Sequence, residues 1–216
     1  PICKIEQKKL ERIIAGMVSV CRDHDCVLIG GETAEMPGVY HDNSYDIVGT
    51  MIGSANDKNL INGKEMIKSG DVVIALPSNN IHTNGFSMIR RIFEDYDIQK
   101  EPELIEWMKA PHKPYFKEIT YLLENNITIH GLCHITGGGL IDNPPRILPD
   151  NLRMNIIYSF DNHPMFKRIK EIGNISNQEM YKTFNCGIGM MIVVPDICKH
   201  KLMQLIRLEF NIEAFQ

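Results

Sequence analysis

The chain has 216 residues, enough for one large domain or two small ones, each with a substantial core. With 44% hydrophobic and 23% charged residues, its composition is that of an ordinary globular protein. A net charge of -4, without a long block of one sign, points away from a nucleic-acid or membrane-surface partner.

Apolar residues at Leu10, Ile13, Ile14, Met17 and Val18 recur at helical spacing and predict an amphipathic helix over residues 7–22. The polar Asp23-His24-Asp25 breaks it. A short apolar run at 26–29 then predicts a buried strand entering a tight turn at Gly30-Gly31, and 45–53 predicts another. The connector at 54–64 is the expected domain boundary, giving a first domain of residues 1–54 and a second of 55–216.

In the second domain, a strand is expected at 71–76 between Gly70 and Pro77, then a loop to Gly85 and a helix at 86–93. A polar stretch follows, then a helix at 114–124 and a short strand at 132–135 that closes on a triple glycine. The remaining pattern predicts strands at 154–160 and 189–194, and helices at 164–171, 178–184 and 197–210. Helices interleaved with short apolar strands define an α/β fold of the α+β type, with a mixed sheet.

The six cysteines lack a CxxC pair and a regular framework, so reduced thiols in a cytoplasmic protein are expected. Cys21, His24 and Cys26 match no established zinc spacing. No signal peptide accompanies the sequons at Asn126 and Asn174 in these residues, so both are expected to be chance occurrences. The chain starts at Pro1 rather than methionine, which suggests a processed or truncated product.

Three strand-to-turn junctions place small and polar residues just past a buried strand, the usual ligand-facing edge of α/β sheets. They are Gly30-Gly-Glu-Thr-Ala-Glu-Met-Pro-Gly38, Asn79-Asn-Ile-His-Thr-Asn-Gly85 and His134-Ile-Thr-Gly-Gly-Gly139. Without Cβ atoms, Gly137, Gly138 and Gly139 let backbone N–H groups approach and cradle a phosphate; equally, they can be a turn that needs positive φ. Neither a P-loop nor a GxGxxG pattern is present. His82 reads either as a solvated loop histidine or as an exposed imidazole able to shuttle a proton near pH 7 or hold an anionic oxygen. His134 reads as a hydrogen-bonded core residue. Glu32 and Glu35, three positions apart, can share one side of a helical turn. Carboxylates beside a phosphate site would hold Mg²⁺, and the alternative is a solvated loop.

Taken together and in order, these strings resemble the aminoimidazole ribonucleotide synthetase (phosphoribosylformylglycinamidine cyclo-ligase) family. The resemblance extends to Asn143-Pro-Pro-Arg-Ile-Leu-Pro-Asp150 and Glu179-Met-Tyr-Lys-Thr-Phe-Asn-Cys-Gly-Ile-Gly-Met190, and so spans nearly the whole chain. It implies ATP-dependent closure of formylglycinamidine ribonucleotide to aminoimidazole ribonucleotide through a phosphorylated amide. Such chemistry rests on positioning and charge neutralisation.

The resemblance also implies roles. His82 and Asn84 would be catalytic. Gly31, Glu32, Thr33, Thr83, Gly85, Thr136, Gly137, Gly138 and Gly139 would contact substrate or ATP, with Glu32 also on Mg²⁺. Arg146 would be an anion contact or a structural ion pair. The family forms homodimers.

Departures qualify these expectations. The family's Asp-Gly-Val-Gly-Thr-Lys and Cys-Val-Asn-Asp strings do not occur here, and they belong to a region that also supplies dimer-forming strands. The 216 residues alone are therefore expected to be inactive, with the C-terminal domain short of its last strand. Pro111-His-Lys-Pro-Tyr115 replaces the family's Pro-Thr-Lys/Arg-Ile-Tyr. Alternatives are another ATP-using member of the superfamily, such as thiamine monophosphate kinase or selenophosphate synthetase, and a folded fragment that does not catalyse.

Overall fold

A computed structural model describes residues 2–42, 44–57 and 60–216, which fall into two compact units, 1–58 and 59–216. In the first unit, helix α1 (Gln7–Asp23) follows the predicted periodicity, yet none of its residues is buried. Ile2 bridges to Glu35 in parallel and to Tyr45 antiparallel, and the Ile5 amide donates to Glu35 Oε1 at 2.6 Å. The strands expected at 26–29 and 45–53 do not form. Ile29, Val48 and Met51 are more than four-fifths exposed. A strand needs a neighbour to satisfy its backbone, and the described part of this unit offers 45–53 a single bridge, at Tyr45.

The second unit is built on an antiparallel sheet of three strands, β1 (Val72–Pro77), β2 (Gly131–His134) and β3 (Ile188–Val194), in the order β1-β3-β2. β3 is apolar on both faces because both are covered. Ile192 and Val194 pack with Leu122 of α5 (Phe116–Glu124) and with Leu202 and Ile206 of α9 (Lys199–Phe210). Ile188 and Met191 join the opposite core with Ile89 of α3 (Phe86–Ile92), Phe166 and Ile169 of α7 (Pro164–Gly173), and Met180 of α8 (Asn177–Thr183). Alternation from Met191 to Val194 feeds two cores, and Ile188 joins the Met191 side across the register shift at Leu76/Pro77.

Register decides where the loops emerge. Met190 pairs with Leu76 on one side and with His134 on the other. β1 and β2 therefore end at the edge where β3 begins, and the segments 78–85, 135–139 and 184–187 all issue from that edge.

The remaining α-helices among the described residues are α2 (Gly63–Met66), α4 (Pro102–Lys109) and α6 (Gly139–Asp142). α4 falls in the stretch read from sequence as polar. It starts with Pro102 in its first turn and buries Leu104 and Met108 at i, i+4 spacing. The strand expected at 154–160 is absent; the chain there pairs with no strand and ends in a short turn at Phe160–Asn162.

Local signals are sound elsewhere. Ser176 caps α8, its side chain accepting from the Glu179 amide at 3.2 Å. Ser176→Ala should lower stability by about 1 kcal/mol, measurable by urea denaturation, whereas the exposed Lys182→Ala should change little.

Candidate functional site

The site is assembled by asparagines. Asn79 Nδ2 donates to Pro111 O at 2.7 Å, its Oδ1 accepts from the Lys113 amide at 3.2 Å, and Asn80 Nδ2 donates to Ala110 O. The loop after β1 thereby holds the 110–113 segment against itself. Asn80 Oδ1 also takes the His82 amide at 2.6 Å and stabilises the left-handed backbone of His82, at φ 56°. From the other side, buried Asn185 links the start of β3 to the same loop: its Nδ2 donates to Asn80 O and its Oδ1 accepts from Ser78 Oγ and the Gly187 amide.

His82 is consequently 3% exposed, which overturns both readings of a solvated or exposed imidazole. Its ring stacks on His112, with centroids 3.8 Å apart and planes at 14°, and lies 6.0 Å from the ring of His134. Neither His82 nitrogen has a hydrogen-bond partner among the described residues. Burial, then the neighbouring His112, His134 and Lys113, push its pKa down to about 3. At neutral pH it is an uncharged ring that can donate at one nitrogen and accept at the other, and it is not a cationic clamp for an oxyanion.

His134, expected in the core, is exposed at the end of β2, and its Nε2 meets His112 Nε2 at 3.2 Å. A contact of that kind requires one ring to donate and the other to accept, so at least one is neutral. Partial desolvation lowers the pKa of both, and the neighbouring His134 adds to the effect on His112. Tyr115 closes the floor of the site; its hydroxyl donates to Pro77 O at 3.0 Å. Lys113 is paired with buried Glu118 at 3.5 Å.

The triglycine loop comes to the same edge. Asn143 holds it by donating to the carbonyls of Thr136, Gly137 and Gly139 and accepting from Thr136 Oγ1. Gly139 already spends its amide on Thr136 O, leaving those of Gly137 and Gly138 without a backbone acceptor among the described residues. Asn84 is the bridge between loops, since a Cβ built on Gly137 would lie 3.4 Å from Asn84 Oδ1. Phe184 packs under Gly85, where a Cβ would come within 2.3 Å of its ring. Thr83 is exposed on the wall of a cleft of about 750 Å³ that His82, His112, Phe86 and Pro102 also line. A second cavity, of about 340 Å³, lies beside β1 between 148–158 and Phe215. Its lining holds no histidine, so the chemistry favours the cleft.

Gly31, Glu32 and Thr33 lie in the first unit, exposed and in irregular chain. The helical turn expected to align Glu32 with Glu35 is absent, because Glu35 is drawn into the bridge with Ile2. Arg146 is exposed; burial pushes the Cys133 thiol up to about 11, and the nearby Arg146 charge offsets only part of that shift. All six cysteines are free thiols.

Sequence reasoning noted His112 only as a departure, did not single out Asp142, and quoted Asn143 and Asn185 only within the resembling strings, without a role of their own. Proximity of Asn143 to the glycines was the available signal. Nothing local marks Asn185, which acts 105 residues away on Asn80.

The three strands and the loops that gather at their shared edge all lie within the part of the chain that matches the AIR synthase related proteins. Residues 68–208 match the C-terminal domain model of that family and residues 2–55 its N-terminal domain model. The chain belongs to this family. It is 42% identical over 193 residues to a phosphoribosylformylglycinamidine cyclo-ligase of Lactococcus lactis subsp. cremoris, covering 87% of this chain and 56% of that relative. Identity is also 42% to cyclo-ligases of Alkaliphilus oremlandii (88% of this chain, 58% of the relative) and Neisseria meningitidis serogroup C (88% and 57%). The chain thus spans somewhat over half the length of the curated relatives it matches.

Proposed function

We propose that the protein carrying this chain is a phosphoribosylformylglycinamidine cyclo-ligase, closing formylglycinamidine ribonucleotide to aminoimidazole ribonucleotide with ATP in purine biosynthesis. The observation that carries the reading is the meeting of the 82–85 and 136–139 loops at one sheet edge, beside a cleft of a size suited to a nucleotide-like ligand. The relatives' shared name supplies the reaction.

His82, neutral and desolvated, accepts or relays a proton as the ring closes. Asn84 orients the substrate amide, and Thr83 and Gly85 shape the pocket wall. Thr136 and the amides of Gly137 and Gly138 receive phosphate oxygens, and the Asn143 hydrogen bonds keep that backbone in place before ligand arrives. ATP supplies the phosphoryl group that turns the formamide oxygen into a leaving group.

For Mg²⁺ the fit is partial. Glu32 is a single exposed carboxylate, with Gly31 and Thr33 beside it as phosphate contacts, and no group of three acidic ligands occurs among the described residues. Asp142, whose Oδ2 would lie 3.2 Å from a Cβ on Gly138, puts a negative charge next to the glycine loop. Phosphate there calls for a compensating cation, which supports a Mg²⁺-phosphate ligand over bare phosphate.

The reading includes a cytoplasmic homodimer with no nucleic-acid or membrane partner; no helix among the described residues is long and apolar enough to cross a membrane. The incomplete carboxylate set supports a further statement, that the 216 residues alone bind Mg²⁺-ATP weakly and do not turn over.

Formylglycinamidine ribonucleotide-dependent ADP release by the longest natural form of the protein is the test. Absence of that release, or release driven by another phosphate acceptor, ends the cyclo-ligase reading. Calorimetry of the 216-residue chain with Mg²⁺-ATP tests the second statement, which tight binding would contradict.

A further inference from the structure

We propose that His82, His112 and His134 together form a binding site for one zinc ion, with its fourth position facing the cleft. This goes beyond the cyclo-ligase reading and does not depend on it.

Two independent observations support the site. One is the convergence of three imidazoles from three segments: a nitrogen of each lies within 4.8 Å of the others, and they are the one group of this kind among the described residues. The other is the condition of His82, a buried ring with both nitrogens unpartnered, facing the other two. An imidazole sealed from solvent loses its hydrogen bonds to water, and a metal bond restores a partner to one nitrogen.

Spacing and ligand type narrow the choice of ion. Nitrogens bound to one tetrahedral zinc at about 2.0–2.1 Å lie about 3.3 Å from each other. The 3.2 Å between His112 Nε2 and His134 Nε2 is already close to that separation, so only a small reorientation of His112 is needed. His82 must present a nitrogen to the same point, so its stack with His112 has to open. His112 borders cavities on two sides and has room for the turn. A set of neutral nitrogen donors without carboxylates selects Zn²⁺ and its neighbours over Mg²⁺ or Ca²⁺. Three protein ligands with an open position is the arrangement zinc uses when it also holds water or a substrate atom. The nearest cation, Lys113, is held by Glu118 and so weighs less against a second positive charge.

The consequence is that zinc and the proposed proton transfer compete for the same His82 ring. His112 is the residue that makes this chain distinctive, since it stands in the Pro111–Tyr115 string where the resemblance leads one to expect threonine.

The test is calorimetric titration of chelator-treated, reduced protein with Zn²⁺, without nucleotide or substrate. One zinc per chain is expected, with affinity reduced at least about 100-fold in His112→Thr and undiminished in Cys21→Ser/Cys26→Ser. If circular dichroism shows His112→Thr to be unfolded, His134→Gln replaces it. Visible absorption of the Co²⁺-loaded protein should show ligand-field bands without sulfur charge transfer. No binding, binding indifferent to the histidine variants, or binding lost with the two cysteines would each overturn the proposal.

Discussion

Gly139→Ala should destabilise the second unit by roughly 3 to 5 kcal/mol, because two costs fall on the same atom. Gly139 has φ 56°, and a Cβ there would come within 2.1 Å of Tyr181 O and 2.8 Å of Phe184 O. Those acceptors are backbone at the end of α8, so they cannot swing aside as a side chain would. Gly137→Ala is the matched control: the nearest atom to its Cβ would be Asn84 Oδ1 at 3.4 Å, an ordinary contact. Its cost should stay below about 1 kcal/mol. Urea denaturation of the two variants measures the difference, and equal midpoints would refute the close packing of the glycine loop on α8. The loop's third glycine is therefore chiefly a packing residue.

Stability should fall as pH drops below about 6.5, and His82→Asn should fall less steeply. The unfolded His82 binds a proton near its ordinary value of 6.5, while the folded ring resists protonation until about 3. Between those limits the unfolded state holds more protons, so the folded state gains stability as pH rises and loses it as pH falls. The full slope for one group is about 1.4 kcal/mol per pH unit. His112, His134 and His163 shift in the same direction and are present in both proteins, so the difference between wild type and variant reports the buried ring. Asparagine accepts the left-handed backbone at this position, which limits the cost of the substitution itself. Parallel pH profiles for the two proteins would show that His82 is solvated after all.

These two expectations rest on features of different legibility. Three glycines in a row announce a tight loop in any sequence, and their order with the neighbouring strings was enough to identify the family. That the last glycine faces Tyr181 and Phe184 could not be read, since the contact spans some forty positions. The fate of His82 was likewise hidden. A histidine among Asn, Thr and Gly looks solvated, but Asn79 and Asn80 clamp the 110–113 segment over it.

Helices α1, α3, α5, α7, α8 and α9 and strands β1, β2 and β3 were readable because each carries its own period, cap or bounding glycine and proline. The apolar runs at 26–29, 45–53 and 154–160 looked equally strand-like and are not strands, because pairing depends on a partner edge that a local pattern does not contain. By itself, then, the sequence determined the family, the α/β class and which loops bear small and polar residues. Only the tertiary structure decided that Met190 sits between Leu76 and His134, which sends those loops to one edge and brings three histidines together. Sheet register and long-range side-chain hydrogen bonds join residues far apart in the chain, and no window of sequence holds both partners.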